Sequence, residues 1–84
     1  MVFRVIWTEK SKENLQKIER NITTRIIKKV EFIKDNPLLH LNKLIDKGVW
    51  KLRVGDYRVL IDIDFKNKVL YVLKVGHRKN IYDF

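Results

Sequence analysis

The chain has 84 residues and no cysteine, and its 19 lysines and arginines against 10 acidic residues give a formal net charge of +9. This length accommodates one small domain, which we expect to span residues 1–84. The absence of cysteine excludes disulfides and thiolate metal sites. No apolar run approaches the ~20 residues of a membrane-spanning helix, and the N-terminal run is too short for a secretory signal, so we expect a cytoplasmic protein. The net positive charge favours a polyanionic partner, such as nucleic acid, an acidic protein segment or an anionic membrane surface. The alternative is a soluble, lysine-rich protein that has no polyanionic partner.

The first half of the chain predicts a strand followed by helix. Residues 2–7 are rich in β-branched and aromatic side chains, as strands are. Thr8 stands where it can cap a helix. Apolar residues at spacings of three and four then predict a helical hairpin or one kinked helix over about 9–35, with Asn21 as a possible second cap. The helical region should end before Pro37.

The second half predicts three strands after a loop. Residues 40–47 should form the loop, held to the core by Leu38, Leu41 and Leu44. Residues 50–64, "WKLRVGDYRVLIDID", predict a hairpin, and "VLYVLKV" at 69–75 a last strand whose register is ambiguous by one residue. The predicted order β-α-α-β-β-β gives an α+β domain with a largely antiparallel four-stranded sheet and a helical hairpin on one face.

The predicted hairpin gathers positive charge on one face. With Gly55-Asp56 as a two-residue turn, Arg53 lies opposite Arg58. Side chains of a strand alternate between its two faces, so one face of the hairpin is apolar and should lie under the helices. The residues of this apolar face are Trp50, Leu52, Val54, Tyr57, Val59, Ile61 and Ile63. Lys51, Arg53 and Arg58 meet on the other face.

Two explanations fit these crowded cations. Asp62 and Asp64 share the face and could neutralise it in part. Alternatively, the face is an anion site at which an RNA phosphate supplies the negative charge. Arg78, just past the last strand, could add a further cation, and Tyr82 a ring on which an unpaired base stacks.

RNA cleavage at such a face requires a base for the 2′-OH, charge stabilisation at phosphorus and a proton for the 5′ oxygen. His40 lies in the predicted loop and is best interpreted as a surface residue. His77, beside Arg78, is a weak candidate for the acid. A lysine amine can act as the base where neighbouring cations favour its neutral form, as Arg53 and Arg58 would for Lys51. No spacing of carboxylates and histidines indicates a metal site, and we expect no cofactor.

These motifs resemble the RelE/ParE superfamily of bacterial and archaeal toxins, and in particular its RelE branch; we expect an archaeal member. "VIWTEKSKENLQKI" is similar to the family's first strand and helix, "WKLRVGDYRVLIDID" to its central hairpin, and "VLYVLKVGHRKNIYDF" to its last strand and tail. The most specific pieces are the Gly-Asp-Tyr-Arg turn and Gly-His-Arg followed by Tyr82. The resemblance covers nearly the full length.

The resemblance implies a ribosome-dependent endoribonuclease that cleaves mRNA in the A site, inhibited by a RelB-like antitoxin in a hetero-oligomeric complex, without a membrane role. Lys51 is similar to the RelE general base, and Arg58 to the arginine that stabilises the phosphate. Arg78 resembles the arginine of transition-state stabilisation or leaving-group protonation, and Tyr82 the tyrosine that stacks on mRNA.

Three further positions, Arg53, His77 and Lys79, are expected to bind RNA. Bacterial RelE has a second lysine two residues before the first, where this chain has Val49, which leaves Lys51 more alone. The alternatives are a ParE-like protein that inhibits DNA gyrase, although ParE toxins lack this residue set, and a non-catalytic RNA-binding module.

Overall fold

The computed structural model describes residues 2–44 and 48–81, which form two helices packed on one face of a sheet. The strands are β1 (Arg4–Trp7), β2 (Asn42–Leu44), β3 (Val49–Val54), β4 (Tyr57–Asp64) and β5 (Val69–His77). The helices are α1 (Glu9–Gln16) and α2 (Arg20–Ile33), and a 3-10 turn occupies Pro37–Leu39. Neither α1 nor α2, nor any other helix in these two ranges, is long and apolar enough to cross a bilayer.

The sheet has five strands in the order β1-β5-β4-β3-β2. β1 is parallel to β5, whereas the other neighbours are antiparallel. The predicted α+β class, with helices on one face, is confirmed, but the predicted count of four strands is wrong. Residues 42–44, predicted as loop, pair with β3 at the sheet edge. Three residues are too few to show an alternating pattern, so only the pairing with β3 reveals this strand.

The helical region forms two helices, as the first of the two predicted alternatives had it, rather than one kinked helix. Thr8 caps α1 as predicted, because its Oγ1 accepts a hydrogen bond from the backbone N–H of Ser11 at 3.3 Å. The same hydroxyl donates to the carbonyl of Val72 at 2.7 Å, which ties the helix start to β5. The predicted cap at Asn21 is wrong, since α2 already begins at Arg20 with Glu19 as its N-cap. Glu19 supplies only its carbonyl, to which Ile22 and Thr23 donate at 3.0 Å.

The apolar core lies between the helices and the predicted apolar face of the hairpin. Arg53 pairs with Arg58 and Val54 with Tyr57, so the hairpin register is as predicted. The fully buried members of the core include Ile26, Val30, Ile33, Leu52, Val59, Ile61, Leu70 and Val72. Leu41 is buried as expected, but Leu38 is 55% exposed because the 3-10 turn buries Pro37 in its place.

A register shift at Leu60/Ile61 settles the ambiguous last strand. Before the shift Leu60 pairs with Lys74, and after it Ile61 pairs with Val72. The shift lets β5 present Val72 and Val75 to the same core although three positions separate them. It also places Lys74 and Gly76 on the face that carries the hairpin cations.

Candidate nucleic-acid interface

The sheet face opposite the helices carries cations in two adjoining cross-strand rows. In the first row Arg53 pairs with Arg58, which pairs with Gly76. In the second, Lys51 pairs with Leu60, which pairs with Lys74. Neighbouring strands are about 4.8 Å apart, and alternate residues of a strand about 6.5–7 Å. The two rows therefore place four cationic side chains on a patch that spans the three strands β3, β4 and β5. We call this patch the cation face: Lys51, Arg53, Arg58 and Lys74.

The hairpin turn holds the side chain of Arg58 in place. Its Nη1 donates to the carbonyl oxygens of Gly55 and Tyr57, each at 2.9 Å. A guanidinium has five N–H donors in a fixed fork, so the hydrogens of Nε and Nη2 are left for another acceptor. Arg58 is half-buried. Because the turn fixes one end of the fork, a phosphate could bind the other end with little further loss of side-chain entropy.

The same turn anchors the chain at Arg78. The backbone N–H of Arg78 donates to the carbonyl of Asp56 at 2.8 Å. Its Nε also lies 3.8 Å from Oδ1 of Asp56. Both side chains are more than half exposed, so this ion pair orients Arg78 rather than stabilising the fold. Arg58 and Arg78 are thus both held beside one turn although 20 positions separate them in the sequence.

Three members of the cation face have no carboxylate partner in the described part of the chain. Within residues 2–44 and 48–81, Lys51, Arg53 and Arg58 form no ion pair with an acidic side chain. The two oxygens of Asp64 instead accept from the backbone N–H and the side-chain amide of Asn67, at 3.0 and 2.8 Å. These bonds, the backbone one foremost, hold the pKa of Asp64 below its usual range. Neither Asp62 nor Asp64 forms an ion pair with Lys51, Arg53 or Arg58 in the described part of the chain.

The other sequence-predicted site residues are more scattered. His77 lies on the helix side of the sheet, where its ring meets that of Tyr57 edge to face at a centroid distance of 5.5 Å. Its Nδ1 accepts from the backbone N–H of Lys79, itself exposed, at 3.2 Å. His40, interpreted as a surface residue, packs against the exposed ring of Phe32. Tyr82 falls outside the described residues.

Two features of the cation face were not found from the sequence. Lys74 joins it only through the register shift, which no residue pattern reveals. Asn42, the partner of Lys51 on the side away from Leu60, belongs to the strand that was predicted as loop. Lys51 is therefore flanked by an amide-bearing residue and a buried leucine rather than by an open sheet edge.

The chain after β5 turns back over the cation face. Asn80 and Ile81 donate their backbone N–H groups to the carbonyl of His77, at 2.9 and 3.0 Å. Ile81 is thereby 1% exposed and lies over Gly76. A Cβ on Gly76 would be 3.1 Å from Cδ1 of Ile81, so a larger residue there would require the Ile81 side chain to shift by a few tenths of an ångström. Gly76 is also the cross-strand partner of Arg58, so the segment after β5 lies directly beside Arg58.

We expect Gly76→Ala to destabilise the protein by about 1–3 kcal/mol, as overpacking of a filled site does. A thermal melt should show a decrease of about 4–8 °C for each kcal/mol in a domain of this size. The matched measurement is Gly76→Ala in an Ile81→Ala background, where the added methyl group meets no isoleucine side chain and should cost less. An equal cost in both backgrounds would contradict the packing of Ile81 on Gly76.

Residues 2–44 and 48–81 contain no cluster of three or more histidine, aspartate or glutamate side chains that could hold a metal ion.

Comparison with known proteins gives a family and a fold. The sequence profile of the family described as "ParE toxin of type II toxin-antitoxin system, parDE" matches residues 5–82. No curated protein matches the chain in sequence.

Solved structures similar to this one include toxin–antitoxin complexes. A chain of the complex RelBE2 from Mycobacterium tuberculosis has a TM-score of 0.84 and 26% identity, over 93% of this chain and 100% of that one. The archaeal RelE–RelB complex from Pyrococcus horikoshii OT3 gives a TM-score of 0.80 and 25% identity, over 95% and 99%. A mutant of the E. coli toxin RelE in the free state gives 0.77 and 17% identity, over 94% and 86%, and supports the fold alone. These matches confirm the predicted resemblance.

Proposed function

Because the chain belongs to the ParE toxin family of type II toxin-antitoxin systems, we propose that it is a toxin of the RelE kind that cleaves mRNA on the ribosome. The observation that carries the proposal is the cation face, where Lys51, Arg53 and Arg58 converge without a carboxylate partner among the described residues. A bound phosphate would supply the missing negative charge and would accept charge-assisted hydrogen bonds from these side chains. A cytoplasmic location is part of the proposal, because mRNA and ribosomes are there.

The proposed reaction is attack of a ribose 2′ oxygen on the adjacent phosphorus. Lys51 accepts the proton of the 2′-OH, the new P–O bond forms, and the bond from phosphorus to the 5′ oxygen breaks. The products are a 2′,3′-cyclic phosphate and a free 5′-hydroxyl. Lys51 is suited to this role because it is half-buried on the cation face and its amine, unlike a guanidinium, can lose its proton.

Arg58 is proposed to stabilise the negative charge that develops on the phosphorane oxygens. Its Nη1 is fixed by Gly55 and Tyr57, so its free donors are oriented before the substrate arrives. Donors held in advance cost no reorganisation during the reaction, which is the main source of electrostatic catalysis. Arg78 is proposed to add a second positive charge beside the same turn. Since a guanidinium keeps its proton, the 5′ oxygen would take its proton from water, and the proton that Lys51 accepted would then neutralise the hydroxide that remains.

The remaining residues are proposed to hold the RNA. Arg53 lies opposite Arg58 and is exposed, which suits contact with a neighbouring phosphate. Tyr82 would stack on an unpaired base, and Lys79 would contact the backbone. His77, which lies on the helix side of the sheet, would reach RNA only at the sheet end rather than on the cation face.

The proposed inhibitor is a RelB-like antitoxin that forms a hetero-oligomer with this chain. Toxin–antitoxin complexes from Mycobacterium tuberculosis and Pyrococcus horikoshii OT3 are among the similar structures. The net charge of +9 favours an antitoxin with an acidic binding segment.

A second candidate function is inhibition of DNA gyrase, because the matching family profile is named after ParE. This function requires a protein-binding surface but no nucleophile activation, so Lys51 would have no special role. Gyrase supercoiling assays with the purified protein separate the two candidates.

We expect expression of this chain alone to arrest protein synthesis within one generation, and coexpression of its antitoxin to restore it. Incorporation of labelled methionine measures the arrest, and mapping of mRNA 5′ ends shows whether cleavage causes it. The Lys51→Ala variant, at matched soluble expression, is the control. Arrest of protein synthesis with intact mRNA and relaxed plasmid DNA would contradict the RelE-type proposal and support inhibition of gyrase.

A further inference from the structure

A second cluster of cations lies on the helical side of the molecule, away from the cation face. A cleft of about 420 Å³ runs between α2 and the β3–β4 turn. We call it the α2–turn cleft, and its lining residues are Arg25, Lys28, Lys29, Val54 and Gly55. Three of these five are cations and none is acidic.

The charges of the α2–turn cleft are not neutralised within the described part of the chain. Arg25, Lys28 and Lys29 form no ion pair there, and the amine of Lys29 only lies over the ring of Phe32 at 5.8 Å. The nearby acids are already engaged. Glu31, the one acidic residue of α2, bonds to Lys34 at 2.8 Å, and the carboxylate of Asp56 faces Arg78.

The hairpin turn joins this cleft to the cation face. Gly55 has a φ of +59°, and a Cβ there would lie 3.5 Å from Nη2 of Arg25. The guanidinium of Arg25 is therefore seated against the bare backbone of the turn. On the other face, Nη1 of Arg58 donates to the carbonyl of the same Gly55 at 2.9 Å. The turn is thus flanked by arginines on both of its faces.

We propose that the α2–turn cleft binds backbone phosphates of a folded RNA, in addition to the strand that the cation face holds. This inference rests on the proposed function and deepens it, since on a ribosome the folded RNA would be ribosomal. One single strand would have to pass around the turn to reach both cation groups, whereas a folded RNA can present phosphates to both at once.

The lining of the cleft favours RNA over an acidic protein segment. A protein partner gains most of its affinity from apolar or aromatic anchors in pockets. The only apolar side chain of this cleft, Val54, is 8% exposed, because it packs in the core. Phosphates require only cations, and their contacts are largely independent of sequence.

The test is the triple variant Arg25→Gln, Lys28→Gln and Lys29→Gln, each of which keeps most of the side-chain stem. The matched control is Lys10→Gln, Lys17→Gln and Arg20→Gln. It also removes two lysines and one arginine, but from exposed positions elsewhere in the helical layer. Arg20 is about 140° from Arg25 around the axis of α2. Both variants keep Lys51, Arg58 and Arg78, and thermal melts verify that they fold.

Binding to salt-washed ribosomes and to a short duplex RNA is measured from low to moderate salt, with cleavage on programmed ribosomes in parallel. The triple variant should bind about tenfold to hundredfold more weakly at ~0.1 M salt, with the slope of log K against log salt reduced by about 2–3. Its KM for ribosomes should rise while its kcat stays near wild type. The control should change KM and the slope by much less.

Equal affinity and slope in the triple variant and its control would overturn the inference, and wild-type cleavage in the same experiment would leave the proposed function intact. If the wild-type protein binds RNA through the cleft but cleaves nothing, the inference stands and the proposed function fails. A triple variant that keeps its RNA affinity but binds the antitoxin more weakly would assign the cleft to an acidic protein and also overturn the inference.

Discussion

Arg58→Ala and Arg78→Ala should each lower the rate of mRNA cleavage on ribosomes by about two to three orders of magnitude. A fixed donor aimed at developing charge contributes about 3–4 kcal/mol to transition-state stabilisation, or roughly 10²–10³ in rate. Arg58 meets this description because Gly55 and Tyr57 fix its Nη1, while its other donors have no partner among the described residues. The rate is measured in single turnover, with variant in excess over programmed ribosomes, so that weaker binding does not obscure the chemical step.

The control for charge alone is Lys66→Ala, an exposed cation in the turn before β5. It removes the same charge and should leave the rate within a few-fold of wild type. Arg58→Lys tests the orientation, since lysine keeps the charge but lacks the fork that bonds to the turn and to phosphate together. It should remain far below wild type. Wild-type cleavage by Arg58→Ala at normal stability would show that the cation face does not act on phosphorus.

Lys51→Arg should be nearly as inactive as Lys51→Ala in the cleavage step, although it keeps the positive charge. Arginine is not deprotonated in proteins, so it cannot accept the proton of the 2′-OH. Its affinity for ribosomes should stay close to wild type, whereas Lys51→Ala should bind somewhat more weakly. If Lys51 only contacts phosphate, arginine should replace it well, and a near-wild-type single-turnover rate for Lys51→Arg would exclude the general-base role.

Lys74 provides the matched comparison for Lys51. The two lysines flank Leu60 in the same cross-strand row, about 9–10 Å apart at the backbone. Both are half-buried amines on the cation face. Lys74→Ala should therefore weaken RNA binding while it leaves the single-turnover rate within about tenfold of wild type. A larger loss of rate for Lys74→Ala than for Lys51→Ala would move the base to Lys74.

The sequence predicted the part of the fold that local patterns encode. Strict alternation around Gly55-Asp56 placed Arg53 opposite Arg58 and put the apolar residues on the helix side, because a two-residue turn fixes the register of a hairpin. Thr8 was recognisable as a cap from its position between a strand and an amphipathic stretch. These features depend on neighbours within a few residues.

The features that the sequence did not predict depend on contacts between distant segments. Strand β2 has three residues and exists only through its pairing with β3. The register shift at Leu60/Ile61 makes both Val72 and Val75 face the core, which places Lys74 on the cation face and His77 on the other side. The α2–turn cleft has no sequence signal for the same reason, because Arg25 meets Gly55 only after the helix packs on the sheet.

The most direct test of the proposed function is cleavage by the purified protein of an mRNA held with a defined codon in the A site of a reconstituted ribosome. We expect one cut in that codon, with a 2′,3′-cyclic phosphate on the upstream product, and no cut by Lys51→Ala. An intact mRNA with fully loaded ribosomes and folded protein would contradict it.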